Sequence, residues 1–531
     1  MQKILTLAFL IVFIANFGFA QQNVILIIAD DLGTDYCGFY EDHQDTANMP
    51  NIRGLLTKGV RFQNAWATPV CSPTRAGMLT GRYPFRTGVG TAISGPGYGD
   101  LDTTEITVAQ LLKYHAPVHY ATANIGKWHL NQQSPQKITW PAKFGYDLYA
   151  GNFLGELSDY YRWYKITNGI GDTVDNYATT ENVNDAINWL DTLPQNKPFF
   201  LWLAFNAPHT PFHLPPDSLH TVTGLTGTTQ HINQHPELYF EAMTEAMDHE
   251  TGRLFQWLQA NNTWDSTNII FMGDNGNTRK VAQIADTSHT KGTLYEYGVH
   301  VPFIISGPAV TQPGRTSAAL INTPDVFASI AEMAGYNNWQ SSIPGNVTID
   351  SKSLLPILKN QTDSVHPWVF TQQFNPNTDP RDGKAIRNRN YKLITFDDGH
   401  LEFYDLLNDP LEQSDLALGL FNTIEGENFG YLCGELALLL GTDACPTVGI
   451  NETEQHAALK LYPNPGNDKL FYEMPNAIVE VVQLYGVDGR LIRQGAPSEM
   501  RFISTEGLAP GIYMVAVKTS DGAVTRKWTK M

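Results

Sequence analysis

The stretch Asn23-Val-Ile-Leu-Ile-Ile-Ala29 is apolar at every position after Asn23 and is stopped by Asp30-Asp31-Leu32-Gly33. A β-branched run without alternation has no polar face to offer water. It suits a strand covered on both sides, as in a parallel sheet flanked by helices. The same grammar recurs three times. Pro198–Phe205 ends in Asn206-Ala-Pro-His209, Thr267–Met272 ends in Gly273-Asp274-Asn275-Gly276, and Val301–Ile305 ends in Ser306-Gly-Pro. Helical spacing fills the intervals over Glu105–Tyr114, Thr180–Leu193, Glu237–Ala260 and Thr323–Ala334. Alternating strands and helices predict an α/β fold with a mostly parallel sheet. Such sheets bind ligands beyond the carboxyl ends of their strands. Asp30, Asp31, His209, Asp274 and Asn275 all fall at those ends.

The texture changes after about residue 360. Tyr391–Thr395 and Leu401–Tyr404 read as paired strands around the turn Asp397-Asp-Gly399, which predicts a small antiparallel subdomain. From Leu459 onward, short alternating runs are punctuated by Asn464-Pro-Gly466, Val487-Asp-Gly489 and Ser520-Asp-Gly522. That pattern predicts an all-β sandwich. Charge marks the same boundary. The 531 residues carry a net −18, yet residues 460–531 hold 9 Lys/Arg against 7 Asp/Glu, so the preceding 459 carry −20. A chain this acidic is a poor non-specific ligand for nucleic acid or anionic membrane. The predicted division is 1–20, 21–360, 361–450 and 459–531.

The first segment has one lysine, an apolar run from Ile4 to Ala15, and a small-x-small ending at Gly18 and Ala20. It reads as an export signal peptide. No later stretch is long and apolar enough to span a bilayer. Four cysteines exclude a scaffold built on disulfides. Cys433 and Cys445, twelve apart in an exported chain, are candidates for a local bridge, and Cys37 reads as buried.

The chemistry concentrates at Cys71-Ser-Pro-Thr-Arg75, followed by Thr80-Gly81. Pro73 fits the first turn of a helix, and Arg75 lies one turn from Cys71 on the same face. A helix start there offers its positive end to an anion. Asp30, Asp31, Asp274 and Asn275 supply only oxygen. Adjacent carboxylates repel unless a cation bridges them. An oxygen set favours a hard cation, Ca²⁺ or Mg²⁺, over zinc. Arg75, Lys127, His129, His209 and Lys291 form a cationic set suited to stabilising an anion and delivering a proton. His213 is near enough to His209 in sequence to touch the same ligand.

Taken together, Cys71-Ser-Pro-Thr-Arg75, Asp30-Asp31, Gly126-Lys-Trp-His129, Pro208-His209, Gly273-Asp-Asn-Gly276 and Lys291-Gly292 resemble the formylglycine-dependent sulfatases, over roughly residues 23–420. The resemblance implies an alkaline-phosphatase-like α/β fold. It also implies oxidation of Cys71 to formylglycine by a maturation enzyme, with an oxygen of the modified Cys71 joining Asp30, Asp31, Asp274 and Asn275 around the cation. Arg75 holds the hydrated aldehyde, which attacks sulfur while Asp274 takes its proton. Lys127, Lys291 and His209 neutralise the sulfate, and His209 or Lys291 protonates the leaving alcohol. His129 takes the second hydroxyl proton as sulfate is expelled. Two other readings stay open at this point: a phosphonate or phosphodiester hydrolase with the same nucleophile, and a binding protein with a vestigial pocket.

Leu461-Tyr-Pro-Asn-Pro-Gly466, Val482-Gln-Leu-Tyr485 and Leu508-Ala-Pro-Gly-Ile-Tyr-Met-Val515 resemble the sorting domain of type IX secretion. That resemblance implies passage through the periplasm to the cell surface or medium, with the secretion machinery as partner. Export and sulfatase chemistry together point to a sulfated carbohydrate as substrate.

Overall fold

The computed structural model describes residues 21–40, 46–95, 97–377, 379–419, 421–442, 445, 459–474, 479–486, 491–495, 502–519 and 522–531. The signal-peptide reading lies outside the described residues, and within the Gly-rich stretch expected to be irregular over 420–458 the described residues hold the helix Thr423–Leu440, capped at its start by Asn422. Among the described residues no helix is long and apolar enough to cross a membrane.

Asn23–Ala29 does form a buried strand near the middle of a ten-stranded sheet. Its side chains divide by parity. Val24, Leu26 and Ile28 join one apolar core, while Ile25, Ile27 and Ala29 join the other. Both faces are therefore covered. Burying one such Ile contributes roughly 2 kcal/mol over leaving it in water. The Asp325–Met333 helix lies on the first face, and the Ala178–Asp191 and Pro236–Ala260 helices on the second. In spatial order the strands are Arg315–Asn322, Gly59–Trp66, Phe303–Ser306, Thr267–Gly273, Asn23–Ala29, Phe199–Ala204, Ala121–Gly126, Leu148–Gly151, Trp163–Thr167 and Ile170–Val174. The central run from Thr267–Gly273 to Leu148–Gly151 is parallel throughout.

Two elements differ from the sequence expectation. The Val301–Ile305 run gives the strand Phe303–Ser306, which is antiparallel to both neighbours. The preceding connection stays at the carboxyl end of Thr267–Gly273, so the chain re-enters the sheet from that end and runs backwards. That connection is where Asp274, Asn275 and Lys291 reside. The helix expected over Glu105–Tyr114 is a short turn, Val108–Gln110, that widens into a π-helical turn at Leu111–His115. Its start is set by Thr107, whose hydroxyl caps the Gln110 N–H while the Gln110 side chain returns to the Thr107 N–H.

Val369–Gln373, Gly383–Arg387, Tyr391–Phe396 and Leu401–Asp405 form the antiparallel sheet read from the hairpin signal. The chain separates into two compact units, residues 1–444 and 445–531, and this sheet belongs to the first. The second unit is all-β. It has a three-stranded and a four-stranded antiparallel sheet around Leu470, Tyr472, Leu484, Val515, Val517 and Trp528. Cys433 and Cys445 are disulfide-bonded, and the thiols of Cys37 and Cys71 are buried.

Candidate active site

Four of the central parallel strands, Asn23–Ala29, Ala121–Gly126, Phe199–Ala204 and Thr267–Gly273, deliver polar side chains beyond their carboxyl ends, and these meet in one buried cluster. Asp30 and Asp31 follow the first strand and are fully buried. Asp31 adopts a left-handed backbone at φ 64°, which turns its N–H onto Asp274 Oδ1 at 3.0 Å. Lys127 follows Ala121–Gly126 and binds both Asp30 oxygens, at 2.8 and 2.7 Å. Gly126 is required before it: a Cβ there would lie 1.9 Å from the Ala204 carbonyl oxygen of the next strand. Asp274 and Asn275 follow Thr267–Gly273. Asn275 Nδ2 donates to Asp31 Oδ1 at 2.8 Å. Lys291 Nζ stands 2.5 Å from that same oxygen, and His209 Nε2 lies 3.6 Å from Asp31 Oδ2.

Cys71 opens the helix Cys71–Thr80, as expected, with Pro73 in its first turn. Arg75 reaches past the cysteine. Its Nε and Nη2 donate to Asp274 Oδ2 at 3.1 and 2.7 Å, and Nη1 donates to the Lys127 carbonyl at 3.0 Å. Cys71 Sγ faces His129 Nδ1 at 3.0 Å. The other ring nitrogen, Nε2, stands 3.1 Å from the Ile93 carbonyl oxygen, which can only accept. That bond places the ring proton on Nε2 and turns the Nδ1 lone pair toward Cys71.

The electrostatics follow from burial and pairing. Burial would raise Asp31, but Lys291, His209 and Lys127 outweigh it and hold the carboxyl well below the usual range. Burial likewise opposes ionisation of Asp274, and Arg75 and Lys127 overcome it. Lys291 stays charged because Asp31 outweighs its desolvation. Desolvation drives His129 well below an ordinary histidine, with Lys127 and Arg75 adding to it, so its imidazole is neutral. Desolvation takes His209 down to about 3, although Asp31 opposes the shift.

The residues fit a hard cation. Asp31 Oδ2 and Asn275 Oδ1 are buried without a hydrogen-bond partner, an uncommon condition for buried oxygen. Single ligand atoms of Asp30, Cys71 and Asp274 lie within 4.8 Å of one another, as do those of Asp30, Asp31 and His209. Three carboxylates face the three fixed cations Arg75, Lys127 and Lys291, so the cluster is formally neutral. A divalent ion would make it positive, as an anionic substrate needs.

All the residues read from sequence as catalytic or ligating come together here: Asp30, Asp31, Cys71, Arg75, Lys127, His129, His209, Asp274, Asn275 and Lys291. His213 is engaged within the protein at both ring nitrogens. Its Nδ1 lies 2.9 Å from the Pro211 carbonyl and its Nε2 3.1 Å from the Tyr177 hydroxyl, so both nitrogens hold the loop. The Tyr160 hydroxyl stands 2.6 Å from the Asn206 carbonyl and 2.8 Å from that of His209, and Tyr161 donates to Leu214 at 2.7 Å. Three tyrosines thus fix the loop that presents His209. They were missed in the sequence because nothing local marks a tyrosine that bonds a backbone fifty residues away. Arg381 also comes close to this cluster. Asp379 grips its Nε and Nη2 at 2.9 and 2.8 Å, and its Nη1 lies 3.3 Å from where a Cβ on Gly292 would stand, beside Lys291.

The fold and cluster define an α/β protein whose buried oxygen ligands would suit a hard cation beside three fixed positive side chains, with a buried cysteine and a neutral histidine facing each other. Residues 22–336 match the Sulfatase family model, and the chain belongs to that family of sulfuric ester hydrolases. Residues 287–419 match the N-sulphoglucosamine sulphohydrolase C-terminal model, and residues 460–531 match the secretion system C-terminal sorting domain. Arylsulfatase J of Mus musculus is 26% identical over 62% of this chain, and the match spans 57% of the mouse protein. An ulvan-active sulfatase of Formosa agariphila is 26% identical over 79% of this chain and 82% of its own length. The crystal structure of Ps i-CgsB in complex with k-i-k-neocarrahexaose has the same fold, with a TM-score of 0.65 at 24% identity, covering 82% of this chain and 96% of that one.

Proposed function

We propose that this chain is an exported sulfatase that removes sulfate from a sulfated polysaccharide or glycan, with formylglycine formed from Cys71 by a maturation enzyme. The observation that carries the reading is the 3.0 Å approach of Cys71 Sγ to the bare Nδ1 of a neutral His129, within a wall of fixed cations. The ulvan-active relative supports a polysaccharide substrate. The sorting-domain match supports export through the type IX machinery to the surface or medium.

Asp30, Asp31, Asp274 and Asn275, with the side chain at position 71, would hold Ca²⁺ or Mg²⁺. When bound, such an ion supplies fixed positive charge for a sulfate oxygen. The modified residue 71 would supply a hydrated aldehyde with two hydroxyls. This chain's own residues do the rest. Asp274, held by Arg75, is placed to take a proton from residue 71. Lys127 and Lys291 flank the sulfate position and stabilise charge developing there. Lys291 and His209 are the partly exposed members of the cluster, and Lys291, which stays charged, is the one that carries a proton to give to the leaving alcohol. His129 Nδ1 is oriented to take the second hydroxyl proton.

Residues 1–20 serve as leader, 21–360 as the catalytic α/β portion, 361–450 as subdomain and linker, and 459–531 as the sorting module. The experiment compares release of 4-nitrophenol from its sulfate and from a phosphodiester by the matured enzyme. Faster turnover of the sulfate is expected, and faster turnover of the diester would replace this reading with a phosphodiesterase.

A further inference from the structure

Cys71, His129, Ile93 and Ser72 form a closed ring of contacts. Cys71 Sγ faces His129 Nδ1, and His129 Nε2 bonds the Ile93 carbonyl. The Ile93 N–H donates to Ser72 Oγ at 3.1 Å, and Ser72 adjoins Cys71 in the chain. The ring fixes which nitrogen of His129 carries a proton. It does not fix how far the imidazole can slide, and one more residue does that. A Cβ on Gly155 would stand 2.7 Å from His129 Cε1, 3.0 Å from Nε2 and 3.4 Å from Nδ1. The bare backbone of Gly155 is thus the floor under the ring. The floor is itself anchored, because the His129 N–H donates to the Phe153 carbonyl at 3.2 Å, the Trp128 N–H to Asn152 at 2.9 Å, and Asn152 Nδ2 to the Leu154 carbonyl at 2.9 Å. His129 also holds a left-handed backbone, at φ 53°.

We infer that Gly155 is a positioning residue that sets the distance from His129 to residue 71. The inference rests on the functional reading above. In that reading His129 Nδ1 accepts the proton of the free hydroxyl on residue 71. The carbonyl re-forms there, and the C–O bond to sulfate breaks with its electron pair leaving on sulfate. A Cβ at position 155 would push the ring off this line, and displacements near 1 Å can cost on the order of 10²-fold in rate. Attack on the substrate uses other groups, so the defect falls on release of sulfate from the enzyme.

The test is a double-mutant cycle of Gly155→Ala and His129→Ala in the full matured chain, with 4-nitrophenyl sulfate as substrate. Gly155→Ala is expected to lower turnover at least about 10-fold, and peptide mass spectrometry should find sulfate retained on residue 71. In the His129→Ala background the same change should alter turnover by less than about twofold, because the ring it displaces is gone. The crystal structure of Gly155→Ala should show the imidazole moved from the side chain at position 71. Unchanged turnover in Gly155→Ala, or an equal loss in both backgrounds, overturns the inference. If the mature wild type releases no sulfate, the functional reading fails. The crystal structure then decides the positioning claim alone, and an unmoved ring refutes it.

Discussion

Arg75 and Asp274 meet in a fully buried pair, with the guanidinium Nε and Nη2 converging on the single oxygen Oδ2 while Oδ1 accepts the Asp31 N–H. The arginine of the Cys71–Arg75 segment therefore orients a carboxylate 199 residues away. Removing it leaves Asp274 charged and unpaired in the interior, which costs about 3–5 kcal/mol. Arg75→Ala is expected to lower the melting temperature even in chains whose Cys71 is unmodified. Thermal melts of unmodified wild type and variant check this, and equal melting would show that the pair does not stabilise the fold.

The oxygen cluster makes a separate claim about metal. Adding Ca²⁺ to chelator-treated protein should raise its melting temperature, by about 2.7 kcal/mol of stabilisation at a hundredfold excess over Kd. Asp274→Asn should abolish that rise, because it removes ligand charge. Stoichiometric zinc in the active enzyme, measured by elemental analysis, would contradict the oxygen-ligand assignment.

A second buried charge group supplies a separate pH dependence. Glu412 pairs with Lys392 at 2.6 Å, Lys392 lies 3.4 Å from Glu296, and Arg387 binds Glu296 at 3.0 Å. Glu296, Arg387 and Glu412 line a cavity of about 420 Å³ that none of the clustered residues lines. Burial pushes the Glu412 carboxyl up to about 7 and Glu296 adds to the shift, with Lys392 opposing. The native state then keeps a proton that the unfolded chain releases. Its contribution is full below about 4.5 and is lost as pH rises through about 7, amounting to about 3 kcal/mol. Glu412→Gln should flatten the fall in melting temperature between about pH 5 and about pH 8. Superimposable profiles would refute this.

The sequence made the strands at Asn23, Pro198 and Thr267 legible because a run buried on both faces cannot hide its composition. The cluster was legible for a related reason: parallel strands bring their carboxyl ends together, so Asp30, His209 and Asp274 had to be neighbours. The reversal of Phe303–Ser306 was not legible, since an apolar run carries no direction. The proton position on His129 was hidden as well. It depends on a backbone carbonyl at Ile93, which leaves no mark in the amino-acid pattern. The partners of His213 were not legible either, because closeness in sequence to His209 says nothing of where the ring turns.

The second compact unit holds none of the clustered residues. A chain ending near Asn451 keeps Cys433 and Cys445 and should hydrolyse 4-nitrophenyl sulfate at the full-length rate. In its native host it should accumulate in the periplasm. Surface delivery of the truncated enzyme together with lost binding to a sulfated polymer would make residues 459–531 a carbohydrate-binding module instead.

The central claim is that Cys71 becomes the nucleophile by oxidation, and mass spectrometry of the peptide spanning Cys71–Arg75 from active enzyme tests it most directly. The account predicts loss of the thiol sulfur and two hydrogens with gain of one oxygen, or the corresponding hydrate. An intact cysteine thiol at position 71 in protein that turns over sulfate at full rate would contradict it.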